Sequence, residues 1–373
     1  MTLRPRESRP CLYPWTSRDP TAAYYIRGEN VLEELPVIGI TMGDPSGVGP
    51  EIICKALADK AIYDLCLPLV LGDPGVLRLA SARSDGVAIN EISAVGEARR
   101  RPGVIDLFSL SRLGKDQMEP GRPTLEAGRA MVEYITRAVE MARKGELDAM
   151  VTCPINKALM NEAGFDFEGH TQLIAHLTRT NDYVMMLAGK RLRVSLVTIH
   201  CSLQEVASRL DKAGVYKTIV ITHRALKQDF ALESPHLAVT ALNPHAGESG
   251  LFGQEEERII RPALEEARSR GIWADGPFPA DTLFHRAAQG EFDAVVAMYH
   301  DQGLIPLKLI HFSDAVNITL GLPIIRTSVD HGTAYDIAGK GVADPSSLKA
   351  AIRLAAFIAK NRKENKAQDS HDN

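Results

Sequence analysis

No stretch of the 373-residue chain approaches the roughly 20 consecutive apolar residues needed to cross a bilayer, so a helical membrane span is excluded. Cysteine is scarce and unpatterned. Cys11, Cys54, Cys66, Cys153 and Cys201 are odd in number and no two have CxxC spacing, so a reducing cytoplasm is the expected setting. An excess of one charge is also missing. The 43 Lys/Arg and 47 Asp/Glu are dispersed, the net charge is -4, and neither a nucleic-acid stripe nor an acidic tail stands out. Internal repeats, heptads and low-complexity blocks are absent apart from a charged tail after Lys360. Neither a Walker A sequence nor GxGxxG occurs. Residues 1–36 include Arg4, Arg6, Arg9 and Arg18 but lack the apolar block of a secretory signal, and they read as a loosely ordered extension. A small molecule is the expected partner, bound by a chain long enough for two lobes.

What is present begins near Pro36. PVIGITMGDPSGVGPEIICKALAD predicts a short strand, a Gly/Pro-rich loop and a helix opening at Pro50. LPLVLGD (67–73) predicts a strand, 124–145 a long helix stopped by Gly145, and LDAMVTCPINKALMNEAG a strand, a loop and a helix. Further strands are predicted at YVMMLAG, RVSLVTIH, HLAVTALNPH and FDAVVAMYH, and helices at 203–210, 214–228, 254–270 and 346–360. Such interleaving implies an α/β architecture with mostly parallel pairing.

Three of the predicted strands run into a histidine: SLVTIH into His200, AVTALNPH into His245 and AVVAMYH into His300. In open α/β sheets the ligand crevice lies beyond the carboxyl ends of the strands. Any one of these residues alone reads as a hydrogen-bonded strand-end histidine. Three in one topological position, two of them in the polar loops NPHAGESG and YHDQG, make a shared divalent cation an equal alternative. Asp301 would then support or join the ligands.

Two Gly-rich segments remain. GDPSGVGP (43–50) would suit an anion at a helix start, and equally a tight strand-to-helix turn. SVDHGTAYDIAGKGVADP (328–345) resembles the adenosine-binding signature of the isocitrate/isopropylmalate dehydrogenases, which bind a dinucleotide without a Rossmann unit. In that signature Asp336, read as a buried acid, would accept from the ribose hydroxyls and repel a 2'-phosphate, which favours NAD over NADP.

The motif string TMGDPSGVGPEI, TCPINK, GHTQLIAHLT, LNPHAGESGLFGQEE, PADTLF, AMYHDQGLIPLK and VNITLGLPIIRTSVDHGTAYDIAGKG resembles the 4-hydroxythreonine-4-phosphate dehydrogenase (PdxA) family from about Val37 to Ile358. The resemblance implies an isocitrate/isopropylmalate dehydrogenase-like, two-lobed α/β fold and a homodimer with its site near the subunit contact. It also implies a cofactor-side lobe of 37–135 plus 305–373 and a metal, substrate and dimerisation lobe of 136–304. His200, His245 and His300 fall on the metal ligands, with Zn²⁺ favoured and Mg²⁺, Mn²⁺ or Co²⁺ as alternatives. Substrate contacts fall on His170, Thr171, Asp281, Lys308, Asn317 and Arg326, a set that suits a phosphate and a carboxylate. Lys157 and Asp281 are the candidates for acid/base work, a solvated helix-start lysine being the plain alternative for the first. His331, Gly332, Thr333 and Asp336 would hold NAD. The implied reaction is oxidation of 4-phosphooxy-L-threonine to a 3-keto acid that decarboxylates, with D-threonate or D-erythronate 4-phosphate, or the cis-dihydrodiol of terephthalate, as rival substrates.

Overall fold

The apolar runs of the sequence become short buried strands because β-branched and long aliphatic residues suit a sheet covered on both faces. The computed structural model describes residues 35–84 and 86–371, with side chains to 367, so the expected N-terminal extension lies almost wholly outside the described residues. In chain order the strands are β1 (Val37–Thr41), β2 (Leu67–Gly72), β3 (Ala88–Ile92), β4 (Val104–Ser109), β5 (Ala149–Thr152) and β6 (Val184–Ala188). They continue with β7 (Arg193–Leu196), β8 (Leu237–Thr240), β9 (Ala274–Phe278), β10 (Ala294–Ala297), β11 (Val316–Leu320) and β12 (Arg326–Ser328).

Two compact units divide the chain. The first has 35–84, 86–183, 228–230 and 313–371 as its described part, and the second has 184–227 and 231–312. Divisions at 135/136 and 304/305 were expected. The first would cut the helix Leu125–Arg143 and the second the helix His300–Ile310, and a continuous hydrogen-bonded helix belongs to one unit.

In the first unit the strand order is β3-β4-β2-β1-β5-β12-β11. Pairing there is parallel except between β11 and β12. Helix Leu125–Arg143 starts on a Thr124 cap, whose hydroxyl accepts from Ala127 N at 3.2 Å. It buries Met131, Val132, Ile135 and Val139 against Leu69, Leu71 and Met150. The C-terminal helix, expected to stop at 360, runs from Ser346 to His371, because its charged end is built from strong helix formers such as Lys, Glu, Ala and Gln.

The second unit orders its strands β6-β7-β10-β8-β9, antiparallel only between β6 and β7. Strands β7, β10 and β8 are therefore adjacent and parallel, and their carboxyl ends share one edge. Helix His300–Ile310 packs back on β7 and β10 at Gly303. A Cβ there would stand 2.6 Å from Val194 Cγ1, so only glycine allows this approach. The helix expected over 254–270 has a single π turn at Glu256–Ile260 before regular helix from Arg261 to Ser269.

Candidate functional site

The second unit carries the three histidines. Strands β7, β8 and β10 end at Leu196, Thr240 and Ala297, so His200, His245 and His300 sit three to five residues beyond them rather than on them. The ladder reaches further than the strands: Val197 N donates to Ala297 O at 2.9 Å and Thr198 N to Met298 O at 3.1 Å. Gln302 ties the next pair of ends together. Its Oε1 accepts from Met298 N (2.8 Å) and Thr240 Oγ1 (2.7 Å), and its Nε2 donates to Ala241 O (2.7 Å). That explains the break in AVVAMYHDQG: the glutamine fastens two sheet ends, and the histidine before it is left at the surface edge.

His245 stands at the start of an unusual turn. Residues His245, Ala246, Gly247, Glu248 and Ser249 all have positive φ, between 43° and 78°. A left-handed run costs non-glycine residues roughly 1–2 kcal/mol each, so the surroundings must hold it. Buried Glu256 does so at one end, accepting from Leu242 N (2.9 Å), Asn243 N (2.8 Å) and Asn243 Nδ2 (3.1 Å).

The rings of His200 and His300 lie 6.0 Å apart between centroids. Two imidazoles sharing a tetrahedral ion would stand about 5 Å apart. Nδ1 of His300 meets Asp301 Oδ1 at 2.7 Å and Nδ1 of His245 meets Glu248 Oε2 at 3.3 Å, which leaves Nε2 of each ring for coordination. The chemistry of this donor set fits a borderline divalent ion. Among the described residues no three His, Cys, Asp or Glu side chains form a metal-holding group. What is brought together is the His200–His300 pair. Asp281, in the first turn of helix Ala280–Ala288, is exposed, and Lys308 is part-buried on helix His300–Ile310.

The first unit gathers a basic cluster. Arg326 is buried on β12 between β5 and β11. Its guanidinium donates to Thr152 Oγ1 (3.2 and 2.9 Å), Asn317 Oδ1 (3.1 Å) and Thr319 Oγ1 (3.2 Å). All of these acceptors are neutral. Burial pushes the Arg326 pKa down from 12.5 to about 9. His170, first residue of the helix His170–Thr178, has a buried Nε2 with no hydrogen-bond partner among the described residues. Its pKa lies well below the ordinary 6.5, first through burial and then through the Arg326 and Lys157 charges. Thr171 follows it, part-buried. Lys157 opens the helix Lys157–Glu162 on the cap of Asn156, and its Nζ is 3.8 Å from where a Cβ on Gly169 would stand. A buried cation with neutral partners and a second cation form a receptor for an anionic group, and the neutral imidazole, whose other nitrogen bonds the Cys153 backbone, offers Nε2 as an acceptor for a hydroxyl beside it.

The segment GDPSGVGP behaves as a turn. Its residues are buried and four of its N–H groups are consumed within the protein: Asp44 N by Pro154 O (2.9 Å), Ser46 N by Asp44 Oδ1 (2.8 Å), Gly47 N by Asp44 O (3.0 Å) and Val48 N by Thr333 O (2.9 Å). Gly43 has φ 72° and would place a Cβ 2.3 Å from Pro154 O, so this corner requires glycine. The turn and the helix it opens brace the 328–345 loop. Glu51 accepts from Ala343 N (2.8 Å) and Gly341 N (3.2 Å), and Lys55 Nζ donates to Gly341 O (2.9 Å) and Ala343 O (2.8 Å). A small cleft beside it is lined by Gly47, Glu51, Arg83, Met118, Pro120 and Gly339. On this frame His331, Gly332 and Asp336 are exposed and Thr333 is part-buried. Asp336 was expected to be buried; it sits inside the turn closed by Ile337 N on Ala334 O (3.1 Å), and its side chain meets solvent. An exposed carboxylate on a braced loop fits the ribose of a dinucleotide.

Sequence reasoning missed Gln302 and Glu256, which hold loop ends, and Thr152, Asp44 and Tyr335, which surround the basic cluster and the 328–345 loop. Only the polar interruption after AVVAM hinted at the first of these.

A family model described as pyridoxal phosphate biosynthetic protein PdxA matches residues 64–355. The chain is 57% identical over 328 residues, covering 87% of it and 96% of the relative, to a 4-hydroxythreonine-4-phosphate dehydrogenase of Desulforapulum autotrophicum. It is 47% identical over 331 residues to a D-threonate 4-phosphate dehydrogenase of Cupriavidus necator, covering 88% and 98%. The solved 4-hydroxythreonine-4-phosphate dehydrogenase of Klebsiella pneumoniae superposes with a TM-score of 0.80 at 42% identity, over 87% of this chain and 99% of that one. A terephthalate 1,2-cis-dihydrodiol dehydrogenase of Burkholderia xenovorans gives 0.61 at 31%, over 86% and 98%. The α/β fold, the long motif string and these likenesses agree that the chain belongs to the PdxA family.

Proposed function

We propose that the protein is an NAD-dependent dehydrogenase that oxidises the secondary alcohol of 4-phosphooxy-L-threonine to a 3-keto acid, which then loses its carboxylate. The observation that carries the reading is Arg326, a buried guanidinium whose described partners are all uncharged. Such a group is far costlier unpaired than paired, so it calls for an anion from outside the chain. The names of relatives at 57% and 47% identity supply the substrate class, a phosphorylated hydroxy acid.

Each side chain has a role in this reading. Arg326 supplies charge and its remaining Nη2–H to phosphate or carboxylate, the other four N–H groups being held by Thr152, Asn317 and Thr319. His170 stays neutral at working pH and offers Nε2 as a directional partner beside it. Lys157 adds a second positive charge at the same anion and is the first unit's candidate to move the proton of the reacting alcohol; Asp281 is the second unit's candidate for that task. Thr171 is a further candidate substrate contact of the first unit, and Lys308 is that of the second. His331, Gly332, Thr333 and Asp336 would hold NAD, and His200, His245 and His300 would hold a divalent ion, Zn²⁺ by the softness of imidazole. When bound, NAD supplies the hydride acceptor and the ion supplies Lewis-acid polarisation at the oxygen being oxidised.

A second substrate, D-threonate or D-erythronate 4-phosphate, is favoured by the 47% identical relative, and the same anion receptor serves it. The two differ by an amine or a hydroxyl on one carbon. NADH formation from 4-phosphooxy-L-threonine and from the two sugar-acid phosphates, with Zn²⁺, Mg²⁺, Mn²⁺ or Co²⁺, tests the reading. The highest kcat/KM is expected for 4-phosphooxy-L-threonine. No NADH from any of them would overturn the assignment.

A further inference from the structure

We propose that Tyr335 is a positioning residue whose hydroxyl couples the 331–336 loop to the helix start that carries Lys157. The proposal rests on the reading of that loop as the dinucleotide loop.

The hydroxyl is a junction of three segments. It donates to Asp44 Oδ2, accepts from Asn156 Nδ2 at 2.9 Å, and also bonds the Thr333 side chain. Each neighbour is fixed from elsewhere. The other oxygen of Asp44 accepts from Ser46 N at 2.8 Å, and its own N–H donates to Pro154 O at 2.9 Å. Thr333 O accepts from Val48 N at 2.9 Å. Asn156 is spent at both ends of its amide: Nδ2 on the Tyr335 hydroxyl and Oδ1 on Leu159 N at 3.1 Å, which caps the helix Lys157–Glu162.

The loop thus has two anchors, one through the backbone at Thr333 and one through the Tyr335 side chain. Only the second reaches the helix of Lys157, because Val48 belongs to a different segment. A ligand that shifts residues 331–336 moves the hydroxyl. Asn156 must then follow it or lose a bond, and the cap turns the first residue of the helix. That residue is Lys157, packed over the Gly169–His170 corner. A phenylalanine would fill the same space, so the hydroxyl is needed for the link and not for the packing. Asp44 strengthens the link, since a buried carboxylate has few other donors to turn to.

The test uses the full chain and measures NAD binding by calorimetry and the acetylation rate of Lys157 by mass spectrometry, with exposed Lys115 as internal standard. In the wild type, saturating NAD should change the Lys157 rate about fivefold, the low end of ordinary coupling between sites. In Tyr335→Phe, NAD should still bind while that change disappears. Asn156→Ser, which keeps a helix cap but removes the donor to the hydroxyl, should behave in the same way. An NAD response of Lys157 that persists in Tyr335→Phe overturns the proposal. So does a wild type that binds NAD with no effect on Lys157. A wild type that binds no NAD overturns the reading of the loop itself, and the coupling with it.

Discussion

Replacing Arg326 by methionine separates a structural role from a receptor role. The fall of its pKa from 12.5 to about 9 corresponds to about 5 kcal/mol of penalty on the charged form, at about 1.4 kcal/mol per pH unit. Against it stand four hydrogen bonds to neutral acceptors, of which the hydroxyls of Thr152 and Thr319 can rotate to new partners. Methionine keeps the unbranched stem and removes both the charge and the bonds. Without an anion the two effects oppose, and stability should change by less than about 2 kcal/mol, against the 3–5 kcal/mol lost when one member of a buried ion pair is removed. With inorganic phosphate at about a hundred times its Kd the wild type should gain about 2.7 kcal/mol, and the variant less than about 1. Urea midpoints with and without phosphate measure both quantities. The kcat/KM for phosphorylated acids should fall by about a hundredfold or more, the value of one or two charge-assisted bonds. A variant that loses more than about 3 kcal/mol without anion, yet responds to phosphate as the wild type does, would show that Arg326 only braces β5, β11 and β12.

His170 remains neutral in the fold well below 6.5, whereas the unfolded ring protonates at its ordinary value. Its contribution to stability is therefore full above about pH 6.5 and is lost as the pH falls below that, with a slope of up to about 1.4 kcal/mol per pH unit. His170→Gln should flatten the stability curve between about pH 7 and 5 in urea melts, and an unchanged slope would count against the burial of this ring. Gln302→Leu strands the partners at Met298, Thr240 and Ala241 and should cost about 2–4 kcal/mol in the same assay; less than about 1 would show that the strand ends do not depend on it. Asp336→Arg should shift dinucleotide preference toward NADP by at least about tenfold in calorimetric Kd ratios, because the carboxylate that repels a 2'-phosphate becomes a cation. His245→Ala should remove bound Zn²⁺ and turnover while leaving the melting temperature nearly unchanged, since the side chain is exposed. A variant that keeps its zinc by elemental analysis would remove His245 from the ligands.

The sequence by itself determined the alternation of strands and helices, because apolar runs bounded by glycine and proline leave few alternatives for local structure. It also put His200, His245 and His300 after three strands, and motif likeness selected Arg326 and His170 among the substrate contacts and, separately, Lys157 as an acid/base candidate. Strands β3, β4, β9, β11 and β12 were not predicted, being short, partly polar or interrupted by proline, as in ADGPF. Only the tertiary structure decided that β7, β10 and β8 are neighbours, since pairing order is a property of the whole sheet and leaves no local mark. It also decided that Asp336 is exposed, that four N–H groups of GDPSGVGP are already used, and that Arg326 has no counter-charge among the described residues. Those facts depend on which distant residues each group meets: Thr333 at Val48, Thr152 and Asn317 at Arg326, Asp44 at Tyr335. A residue type states what bonds a side chain is able to make, and only the folded chain states which of them are left for a ligand.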